Sequence, residues 1–460
     1  MRVKPSGAVL LWLVFLLQPG RAASEVPREE EGTEGTAATV PPNAGVNPPT
    51  LVPNSRWGYL IRLEVGTLAL MPRKGAGEDA GYLQMAPLLV AEQGEDFGVN
   101  LGAPLRVRLW GGDGGWVRRE DWDSLSDFGQ VVRALKLGSD NAPLGIWVGA
   151  LERYSLLSAH LVRRYSNRTN PDYHPAGALL TGWAAPLYVE AFTSDVLGAR
   201  LAGAEVEVDM EHVLFGRPKQ RQRYTLSLSA VQEWGKAGGT SPALTLAHLD
   251  AAAVVLVRPG YELHVLAGWG GRPGVGGAWG AVAGVGADSH TPTRAMTLRL
   301  EARRQHGGFR QGFFGPDYEL GRFLAAGAAA VPLASAPFPD GYSAYGEAAV
   351  AWDAEALGGV LQRHLDFSLG AEAFTWGRVD VDGRAAVQLF HRRLEVAVEG
   401  LAVGVGQPGP RYLLSGEARW RFAWRLYVLA TGGTLLFPET GGTLRPGAFA
   451  SFGLGVDHAR

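Results

Sequence analysis

Glu205, Glu207, Asp209 and Glu211 stand on every second position of the run from Leu201 to Glu211, with Ala204, Val206, Val208 and Met210 between them. A row of carboxylates on one face can bind or select cations, or be neutralised by a facing row of guanidinium groups. Arg221 and Arg223 follow across Phe215-Gly216-Arg217-Pro218-Lys219, whose Gly and Pro favour a turn. Paired as a hairpin, the two runs set Asp209 and Glu211 opposite or diagonal to Arg221 and Arg223. Opposite charges across a strand pair contribute roughly 0.2–1 kcal/mol each. Arg299, Glu301 and Arg303 repeat the spacing with mixed sign. If this ladder faces a conducting lumen, Glu207→Ala with Asp209→Ala is expected to lower cation selectivity, and an unchanged reversal potential would argue against it.

Alternate side chains of a strand point to opposite faces, so these rows require strands with one charged and one apolar face. The same alternation returns along the chain: Arg62 and Glu64 among Ile61, Leu63 and Val65; Ser227 and Ser229 beside Leu226 and Leu228; Asp366 and Ser368 among Leu365, Phe367 and Leu369; Arg419 and Arg421 beside Trp420 and Phe422. A wall apolar outside and charged inside is what a transmembrane β-barrel needs. About twenty strand-like runs follow Trp57, including 128–137, 178–193, 199–214 and 321–332, and Asp382-Gly383 reads as a tight hairpin turn. Bacterial barrels usually have an even strand number. The expected fold is therefore all-β: a single transmembrane antiparallel barrel over 57–460, of about 18 strands within a range of 16–20. Trp57, Tyr59, Trp110, Trp269, Trp352, Trp376, Trp420, Phe422 and Trp424, near strand ends, suit an interfacial girdle.

Composition narrows the setting. With no Cys among 460 residues, disulfides, thiolate metal sites and an acylated-Cys anchor are excluded. A net charge of −2 gives no reason to expect nucleic acid. Arg2 and Lys4, the apolar run Ala8–Leu17 and the small residues Ala22, Ala23 and Ser24 read as a cleavable signal peptide over 1–23. Residues 24–56, rich in Glu, Gly, Thr and Pro, should form a disordered periplasmic linker. These features point to a Gram-negative outer membrane. The expected partners are its lipid, the barrel-assembly machinery that reads a final strand such as Gly447–Leu454, and periplasmic envelope proteins met through 24–56.

Three stretches break the alternation. Gly111–Asp127 carries Asp113, Asp121, Asp123 and Asp127 and reads as a solvated acidic loop, with Ca²⁺ binding as the alternative. Tyr165–Gly177 is a second loop. Arg304–Gly321 holds Arg310, Phe313, Phe314, Asp317 and Tyr318, as an outer loop or as a constriction folded into the lumen. The ten His are scattered, with no H-E-x-x-H, and no G-x-S-x-G, Walker or dinucleotide motif occurs in context. No catalytic residue, cofactor or metal is expected, leaving an unrecognised rim hydrolase as the enzymatic alternative.

Arg118–Val206 resembles a group of poorly characterised outer-membrane barrels from myxobacteria and other Gram-negative lineages. The resemblance rests on Glu120-Asp121-Trp122-Asp123, Ser126-Asp127-Phe128, Arg164-Tyr165-Ser166-Asn167, Asp172-Tyr173-His174 and Ser194 to Leu201, with Phe314 to Leu320 as a possible continuation. That group often carries Gly-His-Gly ahead of the Arg-Tyr element, where this chain has Leu156-Leu157-Ser158-Ala159-His160. The resemblance implies a barrel and a location. The functional expectation is a pore or transport channel. The alternative is a non-conducting structural part of an envelope machine for gliding motility or polysaccharide export.

Overall fold

The computed structural model describes residues 57–459 except 73–78, 94–95, 112–114, 139–141, 217–222, 235–242, 292, 325–337, 354–363, 391–392 and 439–443. The signal segment, the linker and Arg221 lie outside the described residues. The chain forms one antiparallel sheet that closes on itself, the first strand, Trp57–Pro72, pairing with the last, Leu444–Ala459. Phe97–Leu101 and Leu105–Trp110 both pair with Ala80–Gln93 and act as one strand broken at 102–104. The 21 strand runs therefore build a 20-strand barrel. Twenty is the upper end of the expected range and exceeds its centre of 18.

The differences lie at irregular segments. The run 178–193 splits into Gly177–Ala184 and Leu187–Thr193 around Pro186. The run 199–214 ends as a strand at Asp209, and Met210–Phe215 is helical. In place of a strand over 321–332, the helix Tyr318–Leu324 enters the segment, and 325–332 lies outside the described residues. Asp382-Gly383 is not a turn but the middle of Val379–Leu389, paired on both sides. The reversal comes earlier, at Thr375–Arg378, where Gly377 takes a φ of +83°.

Outward Leu228, Leu300 and Leu454 are each more than half exposed, while inward Glu205 and Ser229 are sealed. A band of apolar side chains around a closed sheet is the arrangement hydrocarbon tolerates, because neighbouring strands satisfy one another's N–H and C=O groups. The chain is an outer-membrane β-barrel. Tyr59, Trp110, Trp269, Trp420 and Trp424 are exposed at strand ends, as an interfacial girdle requires. Leu300→Arg, halfway along Arg294–His306 on the lipid face, is expected to cost about 2–4 kcal/mol. Urea unfolding in vesicles, followed by heat-dependent gel mobility, measures that loss.

The wall is uneven. Val132–Leu137 and Leu144–Gly149 have six residues each, against 14 in Ala80–Gln93. Beyond them runs the 3₁₀ helix Leu125–Val131, its Gly129 packed on the backbone of 174–176. Three residues per turn put Leu125, Phe128 and Val131 on one face, and all three are exposed. A one-sided apolar helix thus completes the wall where strands are missing.

Both ends of the described chain lie on one rim, since the first strand begins where the last one finishes. Counting strands alternately from there, the three long connections 111–131, 150–176 and 307–340 all leave the opposite rim.

Candidate functional site

The segment 150–176 folds into the barrel. Residues 154 and 165 pair antiparallel within it, with N–H···O distances of 2.8 and 2.7 Å, and Val162 forms a parallel bridge to Phe314 of the third connection. Leu151, Leu161, Val162, Tyr165, Phe309 and Phe314 are buried against inward Phe192, Leu201, Val231, Leu244 and Leu246. The upper inner face of strands 187–258 is therefore mostly apolar, with buried Glu233 among its residues, and it gives the inserted segments a hydrophobic core. Fully burying one such side chain is worth about 1.5–3 kcal/mol.

Below that core the wall is polar, and the inserted segment is tied to it around much of the circumference. Tyr154 Oη donates to Glu190 at 2.7 Å, and Ser158 N donates to both Glu205 oxygens at 3.1 Å. Arg163 donates to Glu301 at 3.2 Å, Arg164 to Asp382 at 2.7 Å, and Arg153 to Ser368 at 2.8 Å. The Arg163 guanidinium also lies 3.8 Å from the centre of the Tyr345 ring. Burial, with Glu319 beside it, pushes the Tyr165 phenol well above its usual value, so it remains a donor to that carboxylate. Burial also lowers Arg168 to about 10, with Arg133 adding in the same direction.

The predicted ladder is not continuous. Glu205 is sealed by Ser158 and by Ser227 at 2.7 Å. Glu207 faces inward opposite Ser227, and Asp209 stands opposite Thr225, so neither is set against an arginine across that pair. Asp209 instead caps the helix Met210–Phe215, accepting from Glu211 N at 3.0 Å and His212 N at 3.1 Å. The expected strand pairing through Glu211 is thus corrected: the strand ends at Asp209, Glu211 is helical, and Arg221 lies outside the described residues. Glu211 is buried in the first helical turn, while Arg223 lies at the foot of its strand against the Tyr224 ring. Asp209→Ala is expected to fray this helix at a cost of about 0.5–2 kcal/mol, seen as faster amide exchange at 211–212.

Arg299, Glu301 and Arg303 do come together. Glu301 accepts from Arg299, from Arg303 Nε at 2.7 Å and from Arg163, while Arg303 also reaches Glu372 at 2.8 Å. The described start of the third connection, 307–324, likewise packs inside. Phe314 is fully buried and edge-on to Tyr318 at 4.9 Å, Phe313 packs beside both, Arg310 pairs with Asp380 at 2.7 Å, and Asp317 pairs with Arg411.

The acidic connection is solvated only in part. Asp121 is buried between Arg106 and Arg118 at 2.6 and 2.5 Å. Asp127 closes a capping box with Ser124 and accepts from His174 N at 3.0 Å. Asp123 is exposed, and Asp113 lies outside the described residues.

Sequence reasoning missed the groups at the centre of the lumen: Arg153, Arg163 and Arg164, and the cluster of His160, His248 and Asp250. His160 Nδ1 is 2.6 Å from one oxygen of Asp250, and His248 Nδ1 is 2.8 Å from the other. The available signal was His248-Leu249-Asp250, which sets both groups on one face of a strand.

No protein-family model matches the sequence, and no curated protein is similar to it. Solved structures resemble it as barrels. OpdO of Pseudomonas aeruginosa is 12% identical, with 88% of this chain and 97% of that one covered and a TM-score of 0.35. A BenF-like porin from Pseudomonas fluorescens Pf-5 is 11% identical, with 89% and 100% covered and a TM-score of 0.34. A mutant of the ferric enterobactin receptor PfeA from Pseudomonas aeruginosa is 10% identical, with 88% and 81% covered and a TM-score of 0.36. At these values the likeness is one of architecture only.

Proposed function

We propose that the barrel is a narrow outer-membrane channel for small polar and charged solutes, conducting off-centre, beside the strands Leu394–Val405 and Arg411–Arg421. The carrying observation is an asymmetry of the inner wall. Glu190, Glu205, Asp250 and Glu301, against which the inserted segments press, are each at most 7% exposed. Glu399 and Glu417, facing inward on the other side, keep 51% and 48% side-chain exposure, even though Arg153 of the insert reaches Glu399 at 3.6 Å. A carboxylate keeps such exposure only where water reaches it. A cavity of about 240 Å³ on the same side, between Leu68, Leu70 and Phe449 of the wall and Pro171 and His174 of the insert, shows that the insert does not fill the bore there.

A second reading, a non-conducting scaffold of an envelope machine, draws on the density of ion pairs around Glu301. It would include periplasmic contacts through 24–56. A myxobacterial-type envelope, implied by the resemblance over 118–206, is the setting proposed for either role. Single-channel recording of the detergent-extracted barrel in a planar bilayer separates them. Stable steps well below those of an unobstructed barrel of this width are expected. A folded, heat-modifiable but silent barrel would replace the channel with the scaffold.

A further inference from the structure

His160, His248 and Asp250 meet between the insert and the barrel wall, and their ligand-capable atoms are all within 4.8 Å of one another. Each is at most 7% exposed. They come from different parts of the fold: His160 from the inserted 150–176 segment, His248 and Asp250 from two inward positions of Leu244–Arg258. The wall is shaped to receive them. A Cβ at Gly268 would come within 2.1 Å of Asp250 Oδ1, and one at Gly270 within 2.2 Å of the His248 ring. Two glycines on the neighbouring strand thus leave the bed in which these side chains lie.

The protons can be placed. Arg299 Nη2 lies 2.7 Å from His160 Nε2 and can only donate, so that nitrogen accepts and the proton sits on Nδ1, directed at Asp250. Burial, reinforced by Arg299, lowers the affinity of His160 for a second proton. His248 Nε2 meets the Gln311 amide nitrogen at 3.0 Å, leaving its Nδ1 proton for Asp250 as well. Both imidazoles therefore aim their Nδ1 atoms at one carboxylate.

The outer groups allow the other tautomer. Glu301 Oε1 lies 3.4 Å from His160 Nε2 and can accept a proton there. Arg299 retains Ser158 O at 2.8 Å and Glu301 as acceptors if it releases the ring. Gln311 Oε1 is buried without a partner, and a turn of the amide would bring it to a protonated His248 Nε2. A carboxylate or amide oxygen behind the far nitrogen of a histidine is the usual support of a metal-bound imidazole.

We propose that His160 Nδ1, His248 Nδ1 and Asp250 form a binding site for one divalent transition-metal ion of the zinc class, stapling the inserted segment to the barrel wall. Each imidazole moves its proton from Nδ1 to Nε2 and keeps it there, donating to Glu301 Oε1 and, after the amide turns, to Gln311 Oε1 respectively. The Nδ1 lone pairs and the carboxylate form three coordinate bonds, and water supplies the fourth. Two nitrogens and one oxygen suit Zn²⁺ or Co²⁺ better than Ca²⁺ or Mg²⁺.

The test is Co²⁺ titration of the folded, detergent-extracted full-length barrel, read by visible absorption and by calorimetry. One saturable equivalent with the intense d–d bands of four-coordinate Co²⁺, displaced by Zn²⁺, is expected. His160→Ala and His248→Ala, checked for folding by heat-dependent gel mobility, should each weaken uptake by more than the roughly 10–100-fold seen on loss of an outer support. Failure of the wild-type barrel to take up one equivalent overturns the site, whatever the variants do. So does uptake that both folded variants retain. Conductance is not the readout, so a silent barrel that binds Co²⁺ would remove the channel and keep the metal site.

Discussion

Glu301→Gln is expected to raise channel conductance several-fold while leaving the barrel folded. Glu301 is a single buried carboxylate among Arg163, Arg299 and Arg303, with His160 at 3.4 Å. Removing one partner of a buried ion pair typically costs about 3–5 kcal/mol, because the remaining charge is left uncompensated. Here one neutralised acid leaves three guanidinium groups, of which Arg303 keeps Glu372 and Arg163 keeps Glu347 at 3.8 Å. The wall has its continuous strand ladder to hold it. The inserted segment has only its apolar core and side-chain ties, so the loss falls there. Protease cleavage within 150–176 should accelerate alongside the gain in conductance, and Glu301→Asp should be intermediate. Unchanged current together with unchanged cleavage would mean that the core around Tyr165 and Phe314 holds the insert unaided.

Glu399→Gln combined with Glu417→Gln is expected to reduce a cation preference to near neutrality. Of the inward charges on that wall, these two acids are about half exposed, while Arg419, which contacts Glu417 at 3.4 Å, is 22% exposed. The shift in reversal potential should be clear at about 0.1 M salt, where charges act over about 10 Å, and fade near 1 M, where the reach is about 3 Å. Glu207→Ala should move it less, since that residue stands on the wall covered by the insert. Equal effects at both places would mean that solute passes on both sides of the insert.

The alternation that predicted the wall comes from packing against lipid, a constraint present in every strand, and it placed Glu205, Glu301 and Arg303 inside without reference to any other part of the chain. It failed where a tertiary contact decides. Nothing near Asp209 says that the strand will end there and that its carboxylate will cap a helix. Leu244 and Leu246 face inward to receive Tyr165 and Phe314, which the simple scheme of charge inside and grease outside denies. Arg163 and Arg164 find Glu301 and Asp382 more than a hundred residues away, and no local period records such a distance. His248 and Asp250 were legible as a pair on one face; His160, delivered by the inserted segment, was not.

The 3₁₀ patch in the wall bears on the surrounding lipid. Six residues of strand rise about 20 Å. At the usual tilt that becomes roughly 15 Å of height, short of the apolar belt of about 25 Å that barrels of this kind present. Next to Val132–Leu137 and Leu144–Gly149, the exposed Leu125, Phe128 and Val131 of the 3₁₀ helix add to the apolar surface. Acyl chains beside this sector meet a shallower hydrophobic surface than elsewhere on the circumference. The bilayer should thin there, making this side of the barrel the place where mismatch strain collects and where contact with a second membrane protein would relieve it.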